Sequence, residues 1–352
     1  MKNLLGQGIE TRKGDPPMIH FRKRFGRLAP GTAAVFLSAG LVALAPIAHA
    51  QPPSQSTFSS ADGALQALVA GATAKDREAL AKLFGPDYAQ LLSGDDVEDA
   101  RHLDEFAIAV SESARLEKNG DSRYTVTVGK DNWPTAIPIV QKDGKWLFDT
   151  KAGLEEVLNR RIGENELSAI ATCRAYAVAQ WEYYTEGDWD HAGVAEYAQK
   201  IISSPGAHDG LYWETSEDDA PSPLGKLIAG AQAEGYGPKA PSGDAVGKAA
   251  GTQEAPAIDH APYHGYYFKI LTRQGPHAPG GRYSYVINGN MIAGYALVAY
   301  PDKWDNSGVM TLIINQQGRV YEKNLGPSTA KVASAMTEYD PDPTWKLVEV
   351  QP

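Results

Sequence analysis

Residues 265 to 326 constrain the fold of this chain more than any other stretch. They read GYYFKILTRQGPHAPGGRYSYVINGNMIAGYALVAYPDKWDNSGVMTLIINQQGRVYEKNLG. Aromatic and β-branched residues alternate with polar ones and are interrupted by clusters of Gly, Pro and Asn. Such residues suit a pleated, half-buried surface, and the clusters between them are turn formers. The stretch predicts a meander of antiparallel strands. The fold class expected for the whole chain is α+β, because helical periodicity precedes this meander rather than alternating with it.

Helical signals begin after Ser59 and Ser60, either of which can cap a first helix from Ala61 to about Leu83. Leu65, Leu68, Val69 and Ala72 recur at helical spacing, and Lys75-Asp76-Arg77 interrupts the face. A second helix is predicted over Val97 to Ser113. Strand-like runs follow at Ala114 to Lys118, Tyr124 to Val128 and Ala136 to Gln141, the last turning through Lys142-Asp143-Gly144 into Trp146 to Asp149. A long helical pattern covers Leu154 to about Tyr184. Its expected apolar stripe includes Leu158, Leu167, Val178 and Trp181, and Gly163 is a point where it could split. Residues 234 to 262 are rich in Gly, Ala and Pro and predict a surface loop, and Thr329 to Met336 predicts a last helix. The expected division is a leader over 1–50, an N-terminal α+β domain over 57–160 and a C-terminal α+β domain over 161–352.

The leader reading rests on Arg22, Lys23, Arg24 and Arg27 before an apolar run from Ala33 to Ile47, closed by Ala48-His49-Ala50. That order fits a signal peptide cleaved after Ala50 and places the product in the periplasm or outside the cell. Met18 is an alternative start to Met1, and an uncleaved anchor is the rival reading. The run holds Gly40 and Pro46 and is short for a span of about 20 residues, so no stable membrane span is expected once the leader is removed. Residues 1–50 carry seven Lys and Arg against two Asp and Glu, so their removal takes the formal charge from −10 to −15. Nucleic acid is a poor partner for such a chain, since phosphate binding needs a basic patch. Cys173 is the single cysteine, which excludes an internal disulfide.

Two resemblances follow from particular residues. Helices leading into a meander that ends Lys142-Asp143-Gly144-Lys145-Trp146-Leu147-Phe148-Asp149 resemble the cone-shaped α+β fold of nuclear-transport-factor-2-like domains. That resemblance implies a pocket between helices and sheet, often used for a small molecule. Ser203-Ser204-Pro205-Gly206 with Asp209-Gly210-Leu211-Tyr212-Trp213, Pro262-Tyr263-His264-Gly265-Tyr266-Tyr267-Phe268, and Tyr321-Glu322-Lys323-Asn324-Leu325-Gly326 resemble domain-of-unknown-function family 2950. The family implies an exported bacterial protein and supplies no catalytic residue to carry over. The C-terminal half is also similar in outline to the globular heads of type IV pilins, one long helix on a small antiparallel sheet. It departs from them because its helix begins with the polar run Glu155, Glu156, Arg160, Arg161, Glu164 and Glu166.

No P-loop, G-x-S-x-G, H-E-x-x-H or dinucleotide fingerprint occurs. His208 and Asp209 could act as base and orienting acid, or could brace the turn in which they sit. His260, His264 and His277, near Asp259, fit no common metal spacing, and neither does the oxygen-rich run Asp302 to Gly308. Glu214, Glu217, Asp218 and Asp219 read as a solvated acidic face. Cys173 reads as a small buried hydrophobe rather than a nucleophile. Binding is expected to fall on His208, Asp209, Tyr212, Trp213, Tyr266 and His277, with an envelope protein, a peptide or a glycan as partner. No catalytic residue, cofactor or metal is assigned. The functional expectation is a non-catalytic binding or assembly module of the cell envelope, and the alternative is an envelope hydrolase using His208 and Asp209.

Overall fold

The computed structural model describes residues 55–186, 193–215, 221–236 and 262–349. The leader with Met18 and Ala50, the acidic residues Glu217, Asp218 and Asp219, and Asp259 and His260 lie outside the described residues. So does most of the loop expected over 234–262.

Local chemistry sets the helix starts. Helix α1, Ala61–Thr73, is capped by Ser60, whose hydroxyl accepts from the Gly63 amide at 3.1 Å. Helix α2, Arg77–Phe84, starts at Asp76, whose carboxylate accepts from the amides of Glu78 and Ala79, both at 3.0 Å. Lys75, with φ of 51°, supplies the break between the two helices. A 3-10 turn over Gly85–Leu91 leads to α3, Asp96–Glu112, capped in the same way by Asp95. These carboxylates and hydroxyls satisfy amide hydrogens that a helix start leaves free.

The first sheet holds β1 (Ala114–Lys118), β2 (Arg123–Val128), β3 (Trp133–Pro134), β4 (Ile139–Lys142) and β5 (Lys145–Phe148). Its order is β1-β2-β4-β5, antiparallel, with β3 beside β2. Asp143 and Gly144, at φ of 52° and 73°, close the β4–β5 hairpin as the sequence predicts. Helices α1 and α3 lie over this sheet, and the interior between them is built from Ala64, Leu68, Val126, Ile139 and Phe148 among others.

Helix α4 runs unbroken from Thr150 to Glu186, 37 residues, or about 55 Å at 1.5 Å per residue. Gly163 does not split it. The buried face also differs from the expected apolar stripe. Leu167, Val178 and Trp181 are more than half exposed, while Arg161, Asn165, Thr172 and Gln180 are buried. The polar residues can be buried because each has hydrogen-bond partners. Asn165 donates to the Ser307 carbonyl at 3.1 Å, and Gln180 donates to the Ala198 carbonyl and accepts from its amide, both at 2.8 Å.

Helix α5 spans Gly225–Glu234. The strands that follow are β6 (Tyr266–Leu271), β7 (Arg273–Gln274), β8 (Tyr283–Ser284), β9 (Val286–Ile287), β10 (Asn290–Met291), β11 (Ala296–Pro301), β12 (Met310–Asn315) and β13 (Tyr321–Asn324). Helix α6 (Thr329–Ser334), β14 (Glu338–Tyr339) and β15 (Lys346–Leu347) close the described chain. The main C-terminal sheet has the antiparallel order β15-β13-β12-β11-β6. The N-terminal and C-terminal parts together make the α+β fold expected from the sequence. Strand β11 is buried from Ala296 to Ala299 on both faces, because α4 and α6 both pack against it. The second half of α4 thus belongs to the C-terminal layer. Its first half reaches back over the 3-10 turn of the N-terminal layer.

Candidate ligand-binding cavity

The largely apolar hollow lies in the N-terminal layer. A cavity of about 390 Å³ opens between the helices and the first sheet. Leu68 of α1, Leu80 and Phe84 of α2, Leu103 and Phe106 of α3, and Val128 and Phe148 of the sheet form its apolar wall. The 3-10 turn adds Tyr88 and Leu91, and α4 closes the hollow with Val157, Arg160, Arg161 and Glu164. Where α3 and α4 border the hollow, a polar seam joins them.

That seam is built from named pairs. Arg101 on α3 donates to Glu164 on α4 at 2.6 Å, and His102 Nε2 lies 3.1 Å from the other Glu164 oxygen. The hydrogen bond from His102 holds the Glu164 carboxyl down at about 2, and the same bond raises the His102 pKa above its ordinary value. Arg161 is only 6% exposed and lines the cavity. Its guanidinium donates to the Leu91 carbonyl at 2.6 Å and to Asn306 Oδ1 at 3.0 Å. Arg160 stacks 5.3 Å above the exposed Trp133 ring and pairs with Glu156 at 2.7 Å. Glu98, 1% exposed, has a carboxylate oxygen with no hydrogen-bond partner, and burial pushes its pKa up.

A second set of bonds ties this layer to the C-terminal one. Asn306 donates to the Ser93 carbonyl at 3.2 Å, Tyr236 donates to Asp95 at 3.0 Å, and Glu166 accepts from the amides of Val309 and Met310 at 3.0 Å each. Gly265 sits at the same junction with φ of 68°. A Cβ there would stand 2.7 Å from Ser307 Cβ and 2.8 Å from Asn165 Nδ2.

The residues expected from the sequence to bind fall in three places. His208, Asp209, Tyr212 and Trp213 share one loop. Asp209 accepts from the Ser204 amide at 2.7 Å, the Ser204 hydroxyl at 2.9 Å and Lys200 at 2.5 Å. Burial alone would raise its pKa, but Lys200 and Ser204 hold the carboxyl below its ordinary value. The His208 ring stacks on Trp213 at 4.3 Å, and its carbonyl accepts from Tyr183 at 2.7 Å. Tyr212 pairs through its backbone with Ile201 and Ser203. Asp209 is committed to its own turn, which disfavours the hydrolase reading. Tyr266 is fully buried in β6 and donates to the Met310 carbonyl at 2.9 Å. His277 lies in the β7–β8 turn, where its ring and its amide meet Asp340 at 2.9 and 2.8 Å.

Cys173 is fully buried, and burial pushes its thiol up to about 12. His264 is buried and pairs with Glu234 at 3.0 Å. Among the described residues no group of three or more His, Cys, Asp or Glu could hold a metal ion. No helix among them is long and apolar enough to cross a membrane. The individual residues around the cavity, Arg161 above all, were not singled out from sequence. A polar pair at i and i+4 on α4, Arg161 and Asn165, was the available signal.

A family model described as "Protein of unknown function (DUF2950)" matches residues 55–348. The chain belongs to the DUF2950 family. The match covers every element described above, so the cavity-bearing layer and the tyrosine-rich sheet are parts of one DUF2950 unit rather than a family domain with an appendage. No curated protein and no solved structure matches the chain.

Proposed function

We propose that this protein is an exported, non-catalytic binding module that takes a small, mainly apolar molecule into the cavity between α1–α3 and the first sheet. The cavity is the observation that carries the reading. It falls within the size range of small-molecule sites, and its walls are apolar with a few polar groups converging on it. The leader-like residues 1–50 support export to the periplasm or the medium. In this reading residues 57–160, with Arg161 and Glu164 of α4, hold the ligand and the rest of residues 161–352 present it to an envelope partner, with the loops around His208 and His277 as the presenting surface.

The direct test is calorimetry of the full chain against neutral and charged eight-carbon probes. Saturable one-to-one binding of at least one probe, lost on Leu103→Trp, is expected. If none of them binds at millimolar concentration, the reading fails. Terminal sequencing of the exported chain tests the leader separately, with Gln51 expected as the first residue.

A further inference from the structure

We infer that the ligand of this cavity carries a carboxylate, and that Arg161 is the side chain that receives it. The inference rests on the cavity reading above and names the chemical class of its ligand.

The argument starts from charge accounting around the hollow. Seven charged or titratable side chains line it: Arg77, Tyr88, Asp99, His102, Arg160, Arg161 and Glu164. Both carboxylates are already occupied. Glu164 is engaged by Arg101 and His102, and Asp99 accepts from the Ser93 amide at 2.8 Å. Arg160 has Glu156. Arg77 is exposed, with no ion pair among the described residues, and solvent serves it. Arg161 is different, because it is buried and its hydrogen bonds to Asn306 and Leu91 go to neutral oxygens. No carboxylate among the described residues lies within ion-pair distance of it.

Burying a guanidinium is costly unless an anion compensates it. Desolvation accordingly lowers the Arg161 pKa, with Glu98 and Asp99 opposing from a distance. A guanidinium has five donors in a planar fork, and two are used here. The Asn306 and Leu91 oxygens fix the plane of the fork, so the arginine is oriented before any ligand arrives. A carboxylate matches such a fork better than a single-point acceptor does. The rest of the ligand meets Leu80, Leu103, Phe106 and Val128, which asks for a hydrocarbon body. An apolar body with one carboxylate therefore satisfies both the wall and the buried cation. A ligand ammonium would add a second unpaired cation beside the first.

The test compares octanoate, octan-1-ol and octylamine by calorimetry on the full chain at pH 7. Octanoate is expected to bind roughly 10- to 100-fold tighter than octan-1-ol, the range of one hydrogen bond to a charged group. Arg161→Met is expected to bring that ratio to about one while leaving octan-1-ol affinity within a few-fold. Arg161→Lys, which keeps the charge without the fork, is expected to retain part of the ratio. If R161M does not fold, Arg161→Gln keeps a donor for the Leu91 carbonyl and serves in its place. Equal binding of acid and alcohol to the unsubstituted chain overturns the inference and leaves the cavity reading standing. Equal loss of both on R161M also overturns it, since a purely structural arginine would act that way. If no probe binds, the cavity reading fails and this inference falls with it.

Discussion

The N-terminal and C-terminal layers are both helices laid on an antiparallel sheet, yet one is hollow and the other is filled. In the C-terminal layer tyrosines fill the space, and the hydroxyls of Tyr176, Tyr285 and Tyr295 are directed at backbone carbonyls or a Gln side chain. Tyr176 donates to the Ala296 carbonyl at 3.2 Å, Tyr295 to the Ala177 carbonyl at 3.0 Å and Tyr285 to Gln274 at 3.1 Å. Tyr176 and Tyr295 meet edge to face at 5.7 Å, and Tyr197 packs on Tyr295 at 4.8 Å. In the N-terminal layer the space between the helices and the sheet is open, and His102 and Glu164 of the polar seam line it. Aromatic density marks the packed layer, whereas the space able to receive a ligand adjoins an underfilled wall and a buried cation.

The largest expected difference between the layers is in truncation. Tyr266→Ala removes a fully buried ring that also closes over Gly308, where even a Cβ would collide with the Tyr266 hydroxyl. It should cost about 3–5 kcal/mol, the range for deleting a buried aromatic. Phe106→Ala, in a half-buried wall that already faces a hollow, should cost less than half as much. Urea unfolding of both variants checks the order. Equal losses would mean that the hollow is as well packed as the tyrosine layer.

Enlargement should separate the layers in the opposite sense. Ala299 is fully buried at the centre of β11 between α4 and α6, so Ala299→Leu overfills a closed core. A loss of about 1–3 kcal/mol is expected. Leu103→Trp places a larger side chain into open volume and should change stability by less than about 1 kcal/mol, while abolishing binding of octan-1-ol. Thermal melting and calorimetry on the same two proteins read both effects. A stable Ala299→Leu variant would break the distinction.

How much of this was readable in advance depends on whether the information is local. Ser60, Asp76 and Asp95 act within three residues of themselves, and Asp143-Gly144 closes a hairpin by its own φ angles. The Ser60 cap and the hairpin are expected from sequence, and the caps at Asp76 and Asp95 are as local but were not among the expectations. The resemblance to nuclear-transport-factor-2-like domains implied a pocket between helices and sheet, and a cavity lies there. The face of α4 could not be read the same way. Apolar residues occur all round that helix, and hydrophobicity alone does not distinguish exposed Leu167, Val178 and Trp181 from buried Cys173 and Tyr176. What turns the helix is polar: Asn165 and Gln180 reach carbonyls at Ser307 and Ala198, which are distant or separated in sequence. Arg161 was hidden for the same reason. Within Asn159-Arg160-Arg161 nothing local separates the half-buried arginine from the buried one, since the Arg161 partners are Leu91 and Asn306.

The smallest expected effect concerns pH, and it distinguishes the seam of the hollow layer from the tyrosines of the filled one. Glu164 from α4 faces His102, and Arg101 and Glu98 on α3 act on it from its own helix. The folded Glu164 carboxyl titrates near 2 against an ordinary value of 4.5, so its contribution is present above about pH 4.5 and is lost as pH falls toward 2. The folded His102 value is raised above 6.5, so its contribution is complete below about pH 6.5 and is lost as pH rises through the raised value. Both are therefore fully present only between about pH 4.5 and 6.5. Glu164→Gln should lower the melting temperature most within that window, and the difference from the unsubstituted chain should narrow on either side. Because both partners are about a third to a half exposed, the effect should stay below about 1 kcal/mol. Tyr176, Tyr285 and Tyr295 have pKa values raised by burial above an ordinary 10, so these tyrosines add no such window below pH 9. Tyr295→Phe should accordingly shift the melting curve by the same amount at every pH from 3 to 9. A Glu164→Gln difference that is flat across pH would show that the seam is held by geometry alone, and the contrast between the layers would then rest on packing.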